Sequence, residues 1–224
     1  MSDSEICPSL NEVASLAKRA VRGAGMSWGI AEEAASSVRW LSARTLPGPE
    51  LLAGLLFKQQ DFNNASLTPN PCERGWVSAG EHICPLLAAA AFSDDASVWR
   101  QQSYKRVVLN ELAYPLLLLP AVARVAALTG VWLHASWDTI TISTDGQSVC
   151  IQGPLSTLVA EQTSRLICSR AQDTVTLQPS GERQCVDRYS WGLLESFAHR
   201  TYAPATEESR RLGAGSTSKS AGED

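Results

Sequence analysis

The five residues Glu81-His82-Ile83-Cys84-Pro85 place an imidazole and a thiol two positions apart, just ahead of a proline that favours a first helical turn. If Pro85 opens a helix through Leu86 to Ala91, Cys84 stands at its N-cap, where the dipole and free N–H groups stabilise a thiolate. In an extended lead-in, residues 82 and 84 point to the same side, so His82 would lie beside the thiol as a base. Asp94 closes the following apolar run and adds a carboxylate for acid or base work. The predicted catalytic set is therefore Cys84, His82 and Asp94. A structural reading competes with it, because free cysteine is among the most buried residue types and an Asp94-Asp95 pair commonly caps a following helix. A zinc site from Cys72, His82 and Cys84 would lack a fourth ligand and the usual paired spacing, so no metal site is predicted.

A second constellation lies at the end of the chain, in residues 202–215, which run Tyr-Ala-Pro-Ala-Thr-Glu-Glu-Ser-Arg-Arg-Leu-Gly-Ala-Gly. Pro204 presets a helical turn and Gly213 supplies an exit from it. Between them Glu207 and Arg211 stand four apart, and Glu208 and Arg211 three apart, on one helical face. Such a turn is an interaction surface. The glycines and Lys219 beyond it mimic a phosphate loop, but no strand precedes them and only five residues follow Lys219, so that reading fails.

These residues need elements to position them. Leu10, Val13, Leu16, Ala17 and Ala20 recur at helical spacing beneath Lys18, Arg19 and Arg22, which predicts a helix from Ser9 to about Gly23. Ser27 is placed to cap a second helix through Leu41, and Glu50 to Lys58 forms a third after the Leu46-Pro47-Gly48-Pro49 break. The turn residues of 59–80 predict a surface loop or irregular structure. A strand over Leu116 to Leu119 and a helix from Ala121 are expected next. Thr139 to Ser143 and Ser148 to Gln152 alternate about Asp145-Gly146, the mark of a hairpin. Arg165 to Ser169, Thr174 to Leu177 and Arg183 to Val186 add strands, and Ser190 to Thr201 returns to a helix. The fold class is thus α+β: an N-terminal helical bundle segment packed on a mainly antiparallel β-sheet, then a C-terminal helix and a short tail. The expected organisation is a single α+β domain over 1–204, a short motif helix and glycine turn over 205–215, and a disordered tail over 216–224.

Composition narrows the partners. At 224 residues the chain is long enough for a substantial core, and a formal net charge of -4 gives no general attraction to phosphate backbones. The first two helices have the spacing of a helix-turn-helix, but the would-be reading helix opens on Glu32-Glu33, so no nucleic acid is expected. Leu112 to Leu133 is nearly apolar, yet Pro115, Pro120 and Arg124 interrupt it. A central Arg costs about 2.5–3.5 kcal/mol on the insertion scale, so no membrane span is expected. Six widely spaced cysteines without a CxxC pair, after a start lacking a signal-peptide pattern, read as reduced thiols of a cytoplasmic protein.

Several stretches taken together resemble one family. They are Ser9-Leu-Asn-Glu-Val, then Arg22-Gly-Ala-Gly-Met-Ser-Trp-Gly-Ile-Ala-Glu-Glu, Cys84-Pro85, the Leu116-Leu-Leu-Leu-Pro120 run and the closing Tyr-x-Pro-Ala-Thr-Glu-Glu-Ser-Arg-x-x-Gly-Ala-Gly. This combination resembles the bacterial family catalogued as domain of unknown function 3726. The resemblance implies a single-domain bacterial protein and brings no activity or cofactor with it. A likeness of helical rhythm between Leu16 to Gly48 and the malate and L-lactate dehydrogenase family does not extend to that family's catalytic histidine signature.

Both charged, glycine-bearing motifs lie in the resembling stretches. They nominate Arg22, Trp28, Glu32, Glu207 and Arg210 as a binding set, provided the two ends meet. The expected function is a non-catalytic binding or accessory protein of a metabolic pathway, whose partner is a small-molecule ligand or another protein. The alternative is a small-molecule enzyme working through a Cys84 thiolate. Neither a cofactor nor an oligomeric state is legible.

Overall fold

The computed structural model describes residues 5–100, 106–171 and 185–201. The N-terminal helices form where local chemistry directs them. Helix α1 (Leu10–Gly23) opens on a reciprocal cap: Ser9 Oγ accepts the Glu12 N–H, and the Glu12 carboxylate accepts the Ser9 N–H at 2.7 Å. Its buried face is Val13, Leu16, Ala17, Ala20 and Val21, an apolar stripe at helical period. Helix α2 (Trp28–Ser42) is capped by Ser27, whose hydroxyl accepts the Ile30 N–H. Helix α3 (Gly48–Gln59) comes after the proline break and begins two residues earlier than expected, because Pro49 fits its first turn.

The 59–80 segment is more ordered than its composition suggests. A 3-10 turn over Asn64–Leu67 leads into a small hairpin of β2 (Asn70–Cys72) and β3 (Gly75–Val77). Its Trp76 is buried and pairs in parallel with Leu109 of β4 (Arg106–Ala113), so tertiary pairing supplies order that the turn residues do not advertise. Between β3 and β4 come α4 (Pro85–Asp94) and the short α5 (Ala96–Arg100).

The expected strand at Leu116 to Leu119 is corrected. The strand is β4, upstream, and Pro115–Leu118 is a 3-10 turn that runs into α6 (Leu119–Thr129). Both prolines occupy first-turn positions, where a missing N–H costs nothing and φ is already helical. Strand β4 has no period-two signature because Val107, Val108 and Leu109 are all buried, so they form a continuous run without alternation.

The remaining sheet is antiparallel. Strands β5 (Leu133–Trp137), β6 (Ile140–Thr144) and β7 (Val149–Gln152) form a meander, and the β6–β7 turn falls at Asp145-Gly146 as expected. After the single-turn helix α7 (Leu155–Leu158), β8 (Gln162–Arg170) inserts between β4 and β5. The described strands of the larger sheet thus run in the order β2-β3-β4-β8-β5-β6-β7. The fold is α+β, with helices segregated against a mainly antiparallel sheet. One apolar cluster joins α1 to α4, α6, the inner sheet face and the last helix, α8 (Arg188–His199). Among the described residues no helix is long and apolar enough to cross a membrane.

Two expectations about the edges change. Val186 does not join the large sheet: β9 (Val186–Asp187) pairs antiparallel with β1 (Glu5–Ile6) in a separate two-stranded ribbon. Beside that ribbon Cys7 and Cys185 form a disulfide, so the reading of six reduced thiols is corrected for these two; Cys72, Cys84, Cys150 and Cys168 are free. A sequence separation of 178 kept the pair invisible to spacing arguments. The strand expected over Thr174 to Leu177, the motif helix of 205–215 and the tail of 216–224 lie outside the described residues.

Candidate functional site

Helix α1 ends at Gly23, and Gly25 takes a φ of 86°, a left-handed turn that side chains rarely adopt. An added Cβ at Gly25 would meet nothing within 4 Å, so the glycine serves the turn's conformation and not its packing. Met26 is buried beneath the turn, and its carbonyl accepts a hydrogen bond from the Arg22 guanidinium. That bond holds Arg22 over the face of Trp28, 4.6 Å from the ring centroid. The Lys18 ammonium approaches the same ring at 5.6 Å and pairs with Glu32 at 2.8 Å. Arg22, Trp28 and Glu32 therefore do come together, with Lys18 as the link between them.

Despite its two cations Trp28 remains 62% exposed. Each exposed cation–π contact contributes about 0.5–1 kcal/mol and a surface ion pair about 0–1 kcal/mol. Those terms orient the indole; they do not bury it. The result is a large apolar ring presented at the first turn of α2 between fixed positive charges. Glu207 and Arg210, the other members of the expected binding set, lie outside the described residues.

The sequence-expected thiol site has the predicted local geometry and the opposite environment. Cys84 is the N-cap of α4, as its place before Pro85 suggests. Parallel bridging holds the segment down: Ile83 N–H donates to the Glu111 carbonyl at 2.7 Å, the Ala113 N–H donates to the Ile83 carbonyl at 3.1 Å, and Cys84 N–H donates to Leu67. His82 and Cys84 both end up in the core, Cys84 with 0% exposure. Burial pushes the thiol up to about 11, outweighing the Leu87 and Leu86 N–H groups and the Gln59 amide that favour a thiolate. The helix N-terminus does act on Cys84, and desolvation wins.

His82 is likewise lowered, first by burial and then by Lys58, with Glu81 opposing, so at neutral pH the ring is uncharged. Its Nε2 sits 3.0 Å from Gln59 Nε2, and Phe62 packs edge-on at 5.4 Å. Asp94 joins neither residue. It is exposed at the far end of α4, about 15 Å along the axis from Cys84 at 1.5 Å per residue. The catalytic grouping of Cys84, His82 and Asp94 is therefore corrected to a buried, protonated thiol, a buried neutral imidazole and a remote surface carboxylate.

Iodoacetamide labelling followed by mass spectrometry checks this. Exposed Cys72 is expected to react first at pH 7.5 and Cys84 to stay unlabelled until denaturant is added; faster labelling of Cys84 would restore the thiolate reading.

Around the buried pair lies a polar rim that sequence spacing gave no means of finding. Lys58 Nζ donates to Gln162 Oε1 at 2.8 Å, and Gln162 Nε2 donates to Glu111 Oε2 at 2.9 Å, across separations of 104 and 51 positions. Glu111 and Tyr114 carry φ values of 51° and 40°, strained for side-chain-bearing residues. At Glu111 that backbone turns the carbonyl to Ile83, while at Tyr114 it sets the ring against α3. A Cβ on Gly54 would fall 2.5 Å from the Tyr114 hydroxyl. Both strained residues thus have a structural task in seating α4 and α3 on β4. Among the described residues no three His, Cys, Asp or Glu side chains gather to hold a metal ion.

Fold and corner together define an α+β protein whose most distinctive described surface is a helical turn presenting an indole between cations. Residues 8–84 match the sequence model of a family described as protein of unknown function, DUF3726, so the resemblance read from the motifs holds over that stretch. The matched residues run from the cap of α1 through the corner to Cys84. No curated protein and no solved structure matches the chain. The family description carries no activity, and the function is not established.

Proposed function

We propose that this is a non-catalytic binding or accessory protein of a bacterial metabolic pathway, and that it recognises an acidic segment of a partner protein through the corner of Lys18, Arg22, Trp28 and Glu32. The observation that carries the reading is Trp28, 62% exposed yet fixed in place by its neighbours. Protein interfaces concentrate their energy in aromatic and arginine anchors, and an indole already oriented loses little freedom on binding. The start of α2 adds its positive end to the two cations, so the corner favours carboxylates. The enzyme reading through Cys84 has no such support, for the thiol is buried and protonated. A cytoplasmic location rested on six free thiols and on a start lacking a signal-peptide pattern, and it loses the first argument once Cys7 and Cys185 pair.

Trp28→Ala tests the proposal. Removing the ring forfeits its two exposed cation–π contacts, so stability should fall by no more than about 1–2 kcal/mol. Recovery of a specific partner in a quantitative affinity purification should nevertheless fall at least about tenfold, the equivalent of 1.4 kcal/mol. If wild type and variant recover the same proteins in the same amounts, the corner is not the interface.

A further inference from the structure

Helices α1 and α8 are tied together at their beginnings and packed against each other at their ends. The Cys7–Cys185 bond stands two residues ahead of both N-caps, Ser9 of α1 and Asp187 of α8. At the far end a Cβ on Gly23, the last residue of α1, would fall 1.8 Å from the Phe197 carbonyl oxygen and 3.5 Å from the Ala198 nitrogen, both in the last turn of α8. The two helices therefore run side by side in one direction. Arg22, which lies over Trp28, directly precedes the point where they touch.

The bridged end is loaded against itself. In the β1 to β9 ribbon Glu5 stands directly opposite Asp187, and like charges so placed destabilise a strand pair. Glu50 of α3 brings a third carboxylate to Asp187: burial raises its carboxyl first and the Asp187 charge raises it further, while the Glu50 and Asp187 N–H groups oppose both. The ribbon's other pair is Ile6 with Val186, so one of its two pairs is repulsive. Cys7 and Cys185 each keep part of their surface in solvent, which leaves the bond within reach of a small reductant.

We propose that the Cys7–Cys185 bond is a redox latch for the recognition corner: its reduction by a dithiol lets α8 leave α1 and unseats Lys18 and Arg22 from Trp28. This rests on the corner being the recognition surface, and it adds regulation to that reading. In the exchange a dithiol sulfur attacks one sulfur of the bridge and forms a mixed disulfide, releasing the other cysteine as a thiolate that takes up a proton. The second dithiol sulfur then closes on the first and releases the remaining cysteine. The dithiol is oxidised to a disulfide, and the bridge gains two electrons and two protons. Once open, the acidic ribbon has no covalent tie, and the last turn of α1 loses the backbone neighbour at Gly23 that fixes it.

The experiment uses the full chain labelled with 5-fluorotryptophan, each resonance assigned by its loss in the matching Trp→Phe variant. Trp28 reports the corner and Trp191 reports α8, while Trp76 and Trp137, both buried and both on strands of the large sheet, report the rest of the fold. Dithiothreitol is expected to move the Trp28 and Trp191 signals of wild type and to leave those of Trp76 and Trp137 in place. A Cys7→Ser, Cys185→Ser variant should show the moved positions without reductant and should not respond to it. An unmoved Trp28 or Trp191 signal in reduced wild type overturns the inference. So does movement of Trp76 and Trp137 together with them, in either protein, because the bond would then hold the whole fold and not one helix.

The outcomes separate from those of the proposed function. Should Trp28→Ala lose its partner while the dithiol leaves the Trp28 signal unmoved, the interface stands and the latch falls. Should the dithiol move Trp28 and Trp191 while no partner depends on Trp28, the coupling of α8 to the corner stands and the recognition reading falls.

Discussion

Replacing Gly23 with alanine is expected to destabilise the protein by about 3 kcal/mol, even though alanine is the better helix former by about 1 kcal/mol. The new methyl would lie 1.8 Å from Phe197 O and 2.7 Å from Phe197 C, both backbone atoms of α8. No rotamer change relieves a clash with backbone, so α8 must move off α1 and loosen Leu194, Phe197 and Ala198, which are buried in the core. For a chain of this length such a loss corresponds to roughly 6–12 °C in Tm. Gly192 is the control, in α8 itself, with nothing within 4 Å of its notional Cβ. Gly192→Ala should raise stability by a few tenths to about 1 kcal/mol. Urea unfolding of the two variants decides the matter. A Gly23→Ala midpoint at or above wild type would mean that the two helices do not pack in backbone contact at this glycine.

The second large effect comes from the other end of α8. Opening the Cys7 to Cys185 bridge, by paired Cys7→Ser and Cys185→Ser substitutions, should cost about 2–5 kcal/mol, since it releases a closure spanning 178 positions. The β1 to β9 ribbon would then be left with its two residue pairs and no covalent tie. A reductant should bring the wild-type urea midpoint down to that of the serine variant and leave the variant unchanged. Identical midpoints with and without reductant in wild type would show that the pair does not stabilise the fold. The bridge fixes the beginning of α8 and Gly23 its end, so the two changes act on one docking event. A combined variant should therefore depart from additivity by more than the scatter of about 0.3–0.5 kcal/mol seen for independent sites.

These two sites also show where sequence reading reaches and where it stops. The Gly23-Ala24-Gly25 step announces a helix end, and Ser9, Ser27 and the helical period of Val13, Leu16, Ala17 and Ala20 place α1 and α2 almost to the residue. Capping and amphipathic period are decided within one or two turns, so they are written locally. Lys18 and Arg22 stand four apart, which puts them on one face of α1, and the α1 to α2 turn then needs only Gly25 to lay both over Trp28. The cationic face of α1 was legible in that spacing, whereas Trp28 was nominated only through the resembling motifs. The pairing of Asp145-Gly146 with its flanking strands was legible for the same reason.

Cys84 marks the limit. Its N-cap position is a local fact and stems from Pro85, but its reactivity depends on whether water reaches it. The Ile83 bridge to Leu112 and the Gln59 amide settle that from 29 and 25 positions away. Similarly, β4 has no readable pattern because a strand buried on both faces loses the alternation that identifies it, and the Lys58, Gln162 and Glu111 rim has no shared spacing at all.

By itself, the sequence determined the three N-terminal helices, the β6 to β7 hairpin, the α+β class and the cation-bearing face of α1. Each arises from interactions between residues close along the chain. Only the tertiary structure decided that the Cys84 thiol is sealed in the core, that Cys7 meets Cys185, and that α8 ends against Gly23. Desolvation, loop closure and backbone contact depend on which distant segments arrive at the same place, and no local pattern carries that information.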